Sequence, residues 1–240
     1  MVQTARERPR TTARPHGRDG ERRRAILGAA SRVFLRQGVH AAGMRDIAAE
    51  LGMAVGNLYY YFEDKQDLLA FVQEDALDGL LAFAGRVRAL PLEPSARLRL
   101  LVVGHVVRLN DAREGTPGSL AHLELEILSP PRRRAIQVLR DRYERQFREL
   151  LEEGIAAGDF RAADPGIAAR LILGALNWTA RWFRPGGAKS ARAVGEEAAA
   201  LLVAGVLAPG RAPAPPDAQG AAAHLAALER CLHAPAGETV

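Results

Sequence analysis

The sequence predicts an all-α fold, a three-helix helix-turn-helix head followed by a larger helical bundle. Three observations carry this prediction. Apolar residues recur at three-and-four spacing along most of the chain, and no segment shows the strict alternation of a half-buried strand. Alanine is abundant while aromatic residues make up only 5%, a balance that favours helix over sheet. Start and stop residues flank the periodic runs: Asp64, Asp164-Pro165 and Ser190 open them, and Gly38, Gly52 and Gly158 close them.

The 240 residues, 48% hydrophobic and 25% charged, suffice for one or two globular domains with a substantial core. No apolar run reaches the ~18 residues a membrane span needs, and the Arg-rich, polar N-terminus lacks the apolar centre of a secretory signal. The single cysteine, Cys231, excludes an internal disulfide framework and fits a reducing cytoplasm, where the protein is expected. In its Ala-rich surroundings Cys231 reads as an incidental small residue rather than a nucleophile. Charge is unevenly placed. Residues 1–24 hold eight arginines against three acidic residues, which accounts for the whole net charge of +5. Residues 1–20 are therefore expected to form a disordered basic arm, either a solvated leader or an arm that neutralises phosphates beside the head.

The head is expected over 21–65. A first helix runs from Glu21 to Gln37 with an apolar stripe of Ile26, Ala29, Ala30, Val33 and Phe34. A second, Met44 to Leu51, presents Met44, Ile47, Ala48 and Leu51 on one side and stops at Gly52. A third, Val55 to Phe62, carries Tyr59, Tyr60 and Tyr61, three of the four tyrosines in the chain. Consecutive helical residues point ~100° apart, so some of these phenols must face outward. Two short helices joined at a tight turn, the second with exposed tyrosines, fit a helix-turn-helix, in which one helix enters the major groove. The small core of the head is expected from Ile26, Ala30, Phe34, Ile47, Ala48, Leu51, Leu58 and Phe62.

A helical body is expected over 66–207. Asp64 caps a helix running to Arg88, and Ser95 caps one reaching Ala112 whose centre, LLVVGHVV, is apolar on all sides and so buried. A short helix from Ser119 to Leu128 precedes a long amphipathic helix to Ala157, with Glu144–Arg148 and Arg148–Glu152 pairs on its surface. The helix Pro165–Phe183 is apolar nearly all round, and Ser190–Leu207 places Val194, Ala198, Leu201, Leu202 and Val206 inside. Residues 208–240 form an Ala/Pro-rich tail with one possible short helix bearing Leu225, Leu228 and Leu232.

The stretch GMRDIAAELGMAVGNLYYYFEDKQDLL resembles the DNA-binding domain of the TetR family of bacterial transcriptional regulators, and the run Gly56 to Lys65 carries the resemblance most specifically. The segment LGALNWTARWFRPGG is more weakly similar to members that answer to fatty-acyl or steroid-type CoA thioesters. The resemblance implies DNA contacts from Arg45, Gly56, Asn57, Tyr59 and Tyr60, a Tyr61 that leans toward the core or a DNA phosphate, and a phosphate contact from Lys65. Asn57 suits an adenine edge. Two positions depart from the family pattern: Gly43 and Ala54 stand where members carry a Ser or Thr cap, and Ala in that role costs ~1 kcal/mol.

The resemblance also implies a homodimer through the last two long helices and a ligand-binding and dimerisation domain with a cavity among the central helices. Candidates there are His105, Asn110, His122, Asn177, Trp178, Arg181 and Trp182. Two indoles and a guanidinium suit an acyl chain with an anionic end, but both tryptophans equally suit core or dimer packing, and His105 suits a satisfied buried histidine. His122 and Glu126 have a metal-compatible spacing without a third ligand, so no metal and no cofactor is expected. The resulting reading is a ligand-responsive regulator, a repressor released from a double-stranded operator by a small hydrophobic effector such as an acyl-CoA. A constitutive DNA-binding regulator is the alternative. An all-helical enzyme acting on a CoA ester is the remaining class, and no catalytic constellation supports it.

Overall fold

The computed structural model describes residues 18–110, 125–211 and 226–232. Among them the chain is all-α, with one isolated antiparallel bridge between Phe160 and Leu207. The helices are α1 (Arg18–Gln37), α2 (Met44–Glu50), α3 (Val55–Tyr61), α4 (Lys65–Arg88), α5 (Pro94–Asn110), α6 (Pro130–Ala156), α7 (Pro165–Trp182) and α8 (Ala191–Val206). A 3-10 turn, Leu125–Ile127, precedes α6, and residues 226–232 add a short helical segment. The N-terminal arm up to residue 17, His122 and most of the helix expected from Ser119 lie outside the described residues.

In the head, Ile26, Ala30, Phe34, Ile47, Ala48, Leu58 and Phe62 are buried together. Leu51, expected among them, is only partly buried because it is the C-cap residue of α2 rather than part of its inner face. The turn after α2 is a complete Schellman motif. Met53 N donates to Ala48 O (3.0 Å) and Gly52 N to Ala49 O (3.0 Å), with Gly52 at φ +62, a conformation that costs glycine nothing. Glu50 accepts from Arg32 Nε (2.8 Å) and Arg36 Nη2 (3.1 Å), fastening the end of α2 to α1, and these guanidiniums hold its carboxyl below the usual carboxylate range.

Helix α4 leaves the head capped by Asp64, whose Oδ1 accepts from Asp67 N at 2.6 Å. Its 24 residues at ~1.5 Å each give ~36 Å, long enough to tie the head to the body. The N-terminus of α6 grips the head end of α4. Arg132 lies 3.3 Å from Asp64 and 3.4 Å from Asp67, and Ser129 N donates to Gln66 Oε1 at 2.9 Å. Near the other end of α4, Arg88 pairs with Glu149 and Glu153 of α6.

Helix α5 is the central rod, buried from Leu98 to Val107 save for partial exposure at Arg99, and packed by α4, α6, α7 and α8. Glycine lets α8 approach the α5 backbone: a methyl group at Gly195 of α8 would lie 3.1 Å from Val103 O. The start of α5 differs from the expectation. The helix begins at Pro94, which needs no donor there, and the cap comes from elsewhere in the chain: buried Asp159 accepts from Ser95 N at 2.7 Å. Ser95 is therefore the recipient of a cap. On α6, Arg148 meets Glu152 (3.5 Å) as expected, whereas Glu144 turns to Arg170 of α7 (3.1 Å), an inter-helix partner that helical spacing along α6 cannot reveal. Asp164 and Ser190 cap α7 and α8 through Ile167 N and Ala193 N.

Leu201 also differs from the expectation. It was expected inside and is 76% exposed, because α8 buries Ala199 and Val203 against α5 and turns Leu201 outward. No helix among the described residues is long and apolar enough to cross a membrane.

Candidate functional site

The outer surface of the head is built by α3. Leu58 anchors this seven-residue helix in the core, which forces its neighbours out: Gly56, Asn57, Tyr59 and Tyr60 are exposed, Tyr60 to 83%. Tyr61 is half-buried and meets the edge of Tyr60 at a ring distance of 5.2 Å. Arg45, in the first turn of α2, is exposed as well. Both short helices start on residues without a side-chain cap. At Gly43 the backbone N–H recovers one bond by donating to Asp46 Oδ2 (2.8 Å), while Ala54, in extended backbone, has none. Lys65 has a different occupation from the others. Its ammonium donates to Val39 O (2.9 Å), His40 O (3.1 Å) and Ala42 O (3.0 Å), which uses all three of its protons on the loop between α1 and α2. In this arrangement Lys65 shapes the reading head from behind and has no proton left for a phosphate.

The body holds an open cleft of about 320 Å³ between α4, α6 and α7. Leu77 and Leu173 supply apolar wall, and Gln137, Arg140, Tyr143, Glu144, Arg170 and Asn177 supply polar groups. Behind that wall, His105 is fully buried between Tyr143 Oη (2.9 Å from Nδ1) and Asn177 Oδ1 (3.0 Å from Nε2). Asn177 Oδ1 can only accept, so Nε2 carries the hydrogen and Nδ1 accepts from the tyrosine. This neutral tautomer satisfies all three groups. Burial holds the imidazole down at about 4, and burial likewise pushes the Tyr143 phenol up, which keeps the donor protonated. One hydrogen-bonded line thus joins α6, α5 and α7 at the cleft. Desolvation lowers the Arg140 guanidinium as well. Four residues before Leu77 on α4, Gln73 is fully buried and neither amide atom has a hydrogen-bond partner, an arrangement that costs ~1–3 kcal/mol.

The remaining candidates are elsewhere. Asn110 donates to Thr179 Oγ1 (2.9 Å) and Val106 O (3.0 Å), bracing α5 against α7. Trp178 (63% exposed) and Trp182 (49%) share the outward face of α7 with Ile167 and Leu171, and Leu201 of α8 is exposed as well. Arg181 stands over the Trp178 ring at 5.9 Å. These side chains form an apolar stripe at i, i+4, i+11 and i+15 along α7 and do not line the cleft.

Comparison with known proteins decides the assignment. Residues 26–72 match the family described as "Bacterial regulatory proteins, tetR family", and residues 91–206 match "Tetracyclin repressor-like, C-terminal domain". The TetR-family regulator PfmR of Thermus thermophilus is 31% identical and superposes with a TM-score of 0.68, over 78% of this chain and 99% of that one. The chain belongs to the TetR family. It is a DNA-binding transcriptional regulator of a family in which dimers are typical. The HTH-type transcriptional repressor KstR2 of Mycolicibacterium smegmatis is 26% identical over 200 residues, covering 82% of this chain and 95% of the relative. A crystal structure of AibR in complex with isovaleryl coenzyme A and operator DNA is 25% identical with a TM-score of 0.67, over 78% of this chain and 99% of that one.

Within this TetR-family frame, residue spacing alone passed over Gln73, Tyr143, Arg140 and Arg170. Tyr143 and Arg140 lie on a helix whose inward and outward positions look ordinary, and Gln73 is one polar residue in a long amphipathic run. The available signal was that Gln73 falls four residues from the apolar positions Leu69 and Leu77, on a side the pattern marks as buried.

Proposed function

We propose that the protein is a dimeric repressor that holds its operator through Arg45, Gly56, Asn57, Tyr59 and Tyr60 of both copies and releases it when an acyl-CoA-like anionic amphiphile enters the cleft between α4, α6 and α7. The observation that carries the reading is the single hydrogen-bonded line Tyr143–His105–Asn177, which ties three helices together at the wall of that cleft. A ligand that competes for Tyr143 acts on α6 directly, and one that competes for Asn177 acts on it through His105. The N-terminus of α6 in turn grips the head end of α4 through Arg132 and Ser129. Arg140 and Arg170 offer guanidiniums to a phosphate or carboxylate, and Leu77 and Leu173 offer apolar wall to a short chain. The isovaleryl coenzyme A bound by AibR, and the repressor role of KstR2, support this choice of ligand class and sign of regulation.

In this reading Trp178, Arg181 and Trp182 serve the dimer face, where α7 and α8 of two copies cover each other's exposed stripe. Operator affinity responds only to the difference in ligand affinity between two states. The test is a titration of fluorescent DNA from upstream of the protein's own gene, with and without isovaleryl-CoA as probe. Saturable binding weakened at least tenfold by the thioester is expected. Binding that no thioester alters favours the constitutive regulator, and no binding at any salt concentration overturns the DNA reading.

A further inference from the structure

The helical segment 226–232 lies beyond residue 206, where the family match on the body ends. It is nonetheless docked. Ala227, Leu228, Cys231 and Leu232 are all buried, and they belong to the same apolar core as the body. Three arginines from three different helices hold it. Arg86 of α4 donates from Nε and Nη2 to Cys231 O (2.9 and 2.7 Å), Arg108 of α5 donates to Leu232 O (3.3 Å), and Arg192 of α8 pairs with Glu229. The bonds from Arg86 and Arg108 fall on the last carbonyls of the segment, the groups that a helix end leaves without partners and where its dipole favours cations. Arg86 is itself almost fully buried, and burial lowers its guanidinium. A buried cation held by a backbone carbonyl is costly unless that carbonyl stays in place.

We propose that residues 226–232 are a clasp that fixes the body end of α4 against α5 and α8, so that movement of α4 is expressed at the head. The geometry is that of a lever. At its head end α4 is bound by Lys65 to the α1–α2 loop and by Arg132 to α6, and at its body end Arg86 and Arg88 anchor it. The clasp also links α4 to α8, one of the two helices bearing the exposed apolar face. Unfastening it frees the pivot, and two heads then must be ordered on DNA at a greater entropic cost. This coupling rests on α4 carrying the signal between body and head, as the proposed function requires.

The experiment uses the full-length protein with Leu228→Asp, which unseats the segment without touching the body, and a second set, Glu229→Arg, Arg192→Glu and the two combined. Hydrogen exchange is read over residues 79–90 without DNA or effector, followed by operator binding. Leu228→Asp is expected to speed exchange there at least ~10-fold, to lower Tm and to weaken operator binding about as much. Either single charge reversal should do the same to a smaller degree, and the combined reversal should restore both. Unchanged exchange in Leu228→Asp overturns the docking. Faster exchange with unchanged operator affinity overturns the coupling while leaving the docking intact. Because exchange is measured on the free protein, failure of the regulatory reading is distinguishable from failure of the clasp.

Discussion

Among the described residues, two surfaces each expose several large apolar side chains together, and they differ in kind. On α3 the exposed residues are Tyr59 and Tyr60, rings that carry a hydroxyl and share the head surface with exposed Asn57 and Arg45. On α7 and α8 they are Ile167, Leu171, Trp178, Trp182 and Leu201, which offer area with few polar groups. The first set suits a wet, polyanionic partner, where phenols donate to phosphates and pack against sugars. The second suits a dry partner, and a second copy of the same stripe is the one always at hand. Exposure alone does not identify a partner; the polar groups among the exposed rings do.

The largest expected effect comes from placing a charge in the drier face. Leu171→Glu should leave the monomer folded, since the side chain is 69% exposed, yet bury an unpaired carboxylate if two copies meet there. Sedimentation should show monomers, and operator affinity should fall ~1000-fold as two heads become one. A dimer that persists with normal affinity would mean that α7 is not the interface.

Next comes the line behind the cleft. The folded pKa of His105 lies below the ordinary 6.5, so between 6.5 and about 4 the unfolded chain binds the extra proton and stability falls as pH drops, the loss being complete below about 4. The window amounts to ~3 kcal/mol. His105→Gln, which keeps hydrogen-bonding capacity without titrating, should flatten that part of the stability–pH curve in urea titrations. Equal slopes in the two proteins would show that His105 is not held neutral.

On the wetter face, Tyr60→Ala should weaken operator binding by ~1–3 kcal/mol with Tm unchanged, because the ring is 83% exposed and supports nothing in the core. The smallest effect concerns the cap. Ala54→Thr gives α3 the oxygen it lacks and should raise stability by ~1 kcal/mol in thermal unfolding, and an added hydroxyl at the recognition helix should tighten rather than loosen DNA binding.

The head was legible in the sequence because its signals are local. Three-and-four spacing, Gly52 at a stop and three consecutive tyrosines define both the helices and the outward face. The body was legible in outline only. An all-round apolar helix such as α7 cannot say which side its own chain covers, so Trp178 and Trp182 read equally as cleft or interface, and Leu201 read as core. Tertiary partners were beyond reach for a different reason. His105 meets Tyr143 and Asn177 across 38 and 72 residues of chain. Lys65, placed by resemblance on a phosphate, is instead engaged by three backbone carbonyls, groups that every residue has and no motif can mark. Asp159 capping α5 and Arg86 grasping Cys231 O are of the same sort.

In the proposed dimer, the α7–α8 face joins two copies and the α3 face thereby reads DNA twice over. Footprinting of the wild-type protein on DNA upstream of its gene tests it most directly. Protection is expected over two related half-sites whose centres lie one helical turn, ~10 bp, or a multiple of it apart. A single unpaired half-site, or uniform protection without sequence preference, would contradict it.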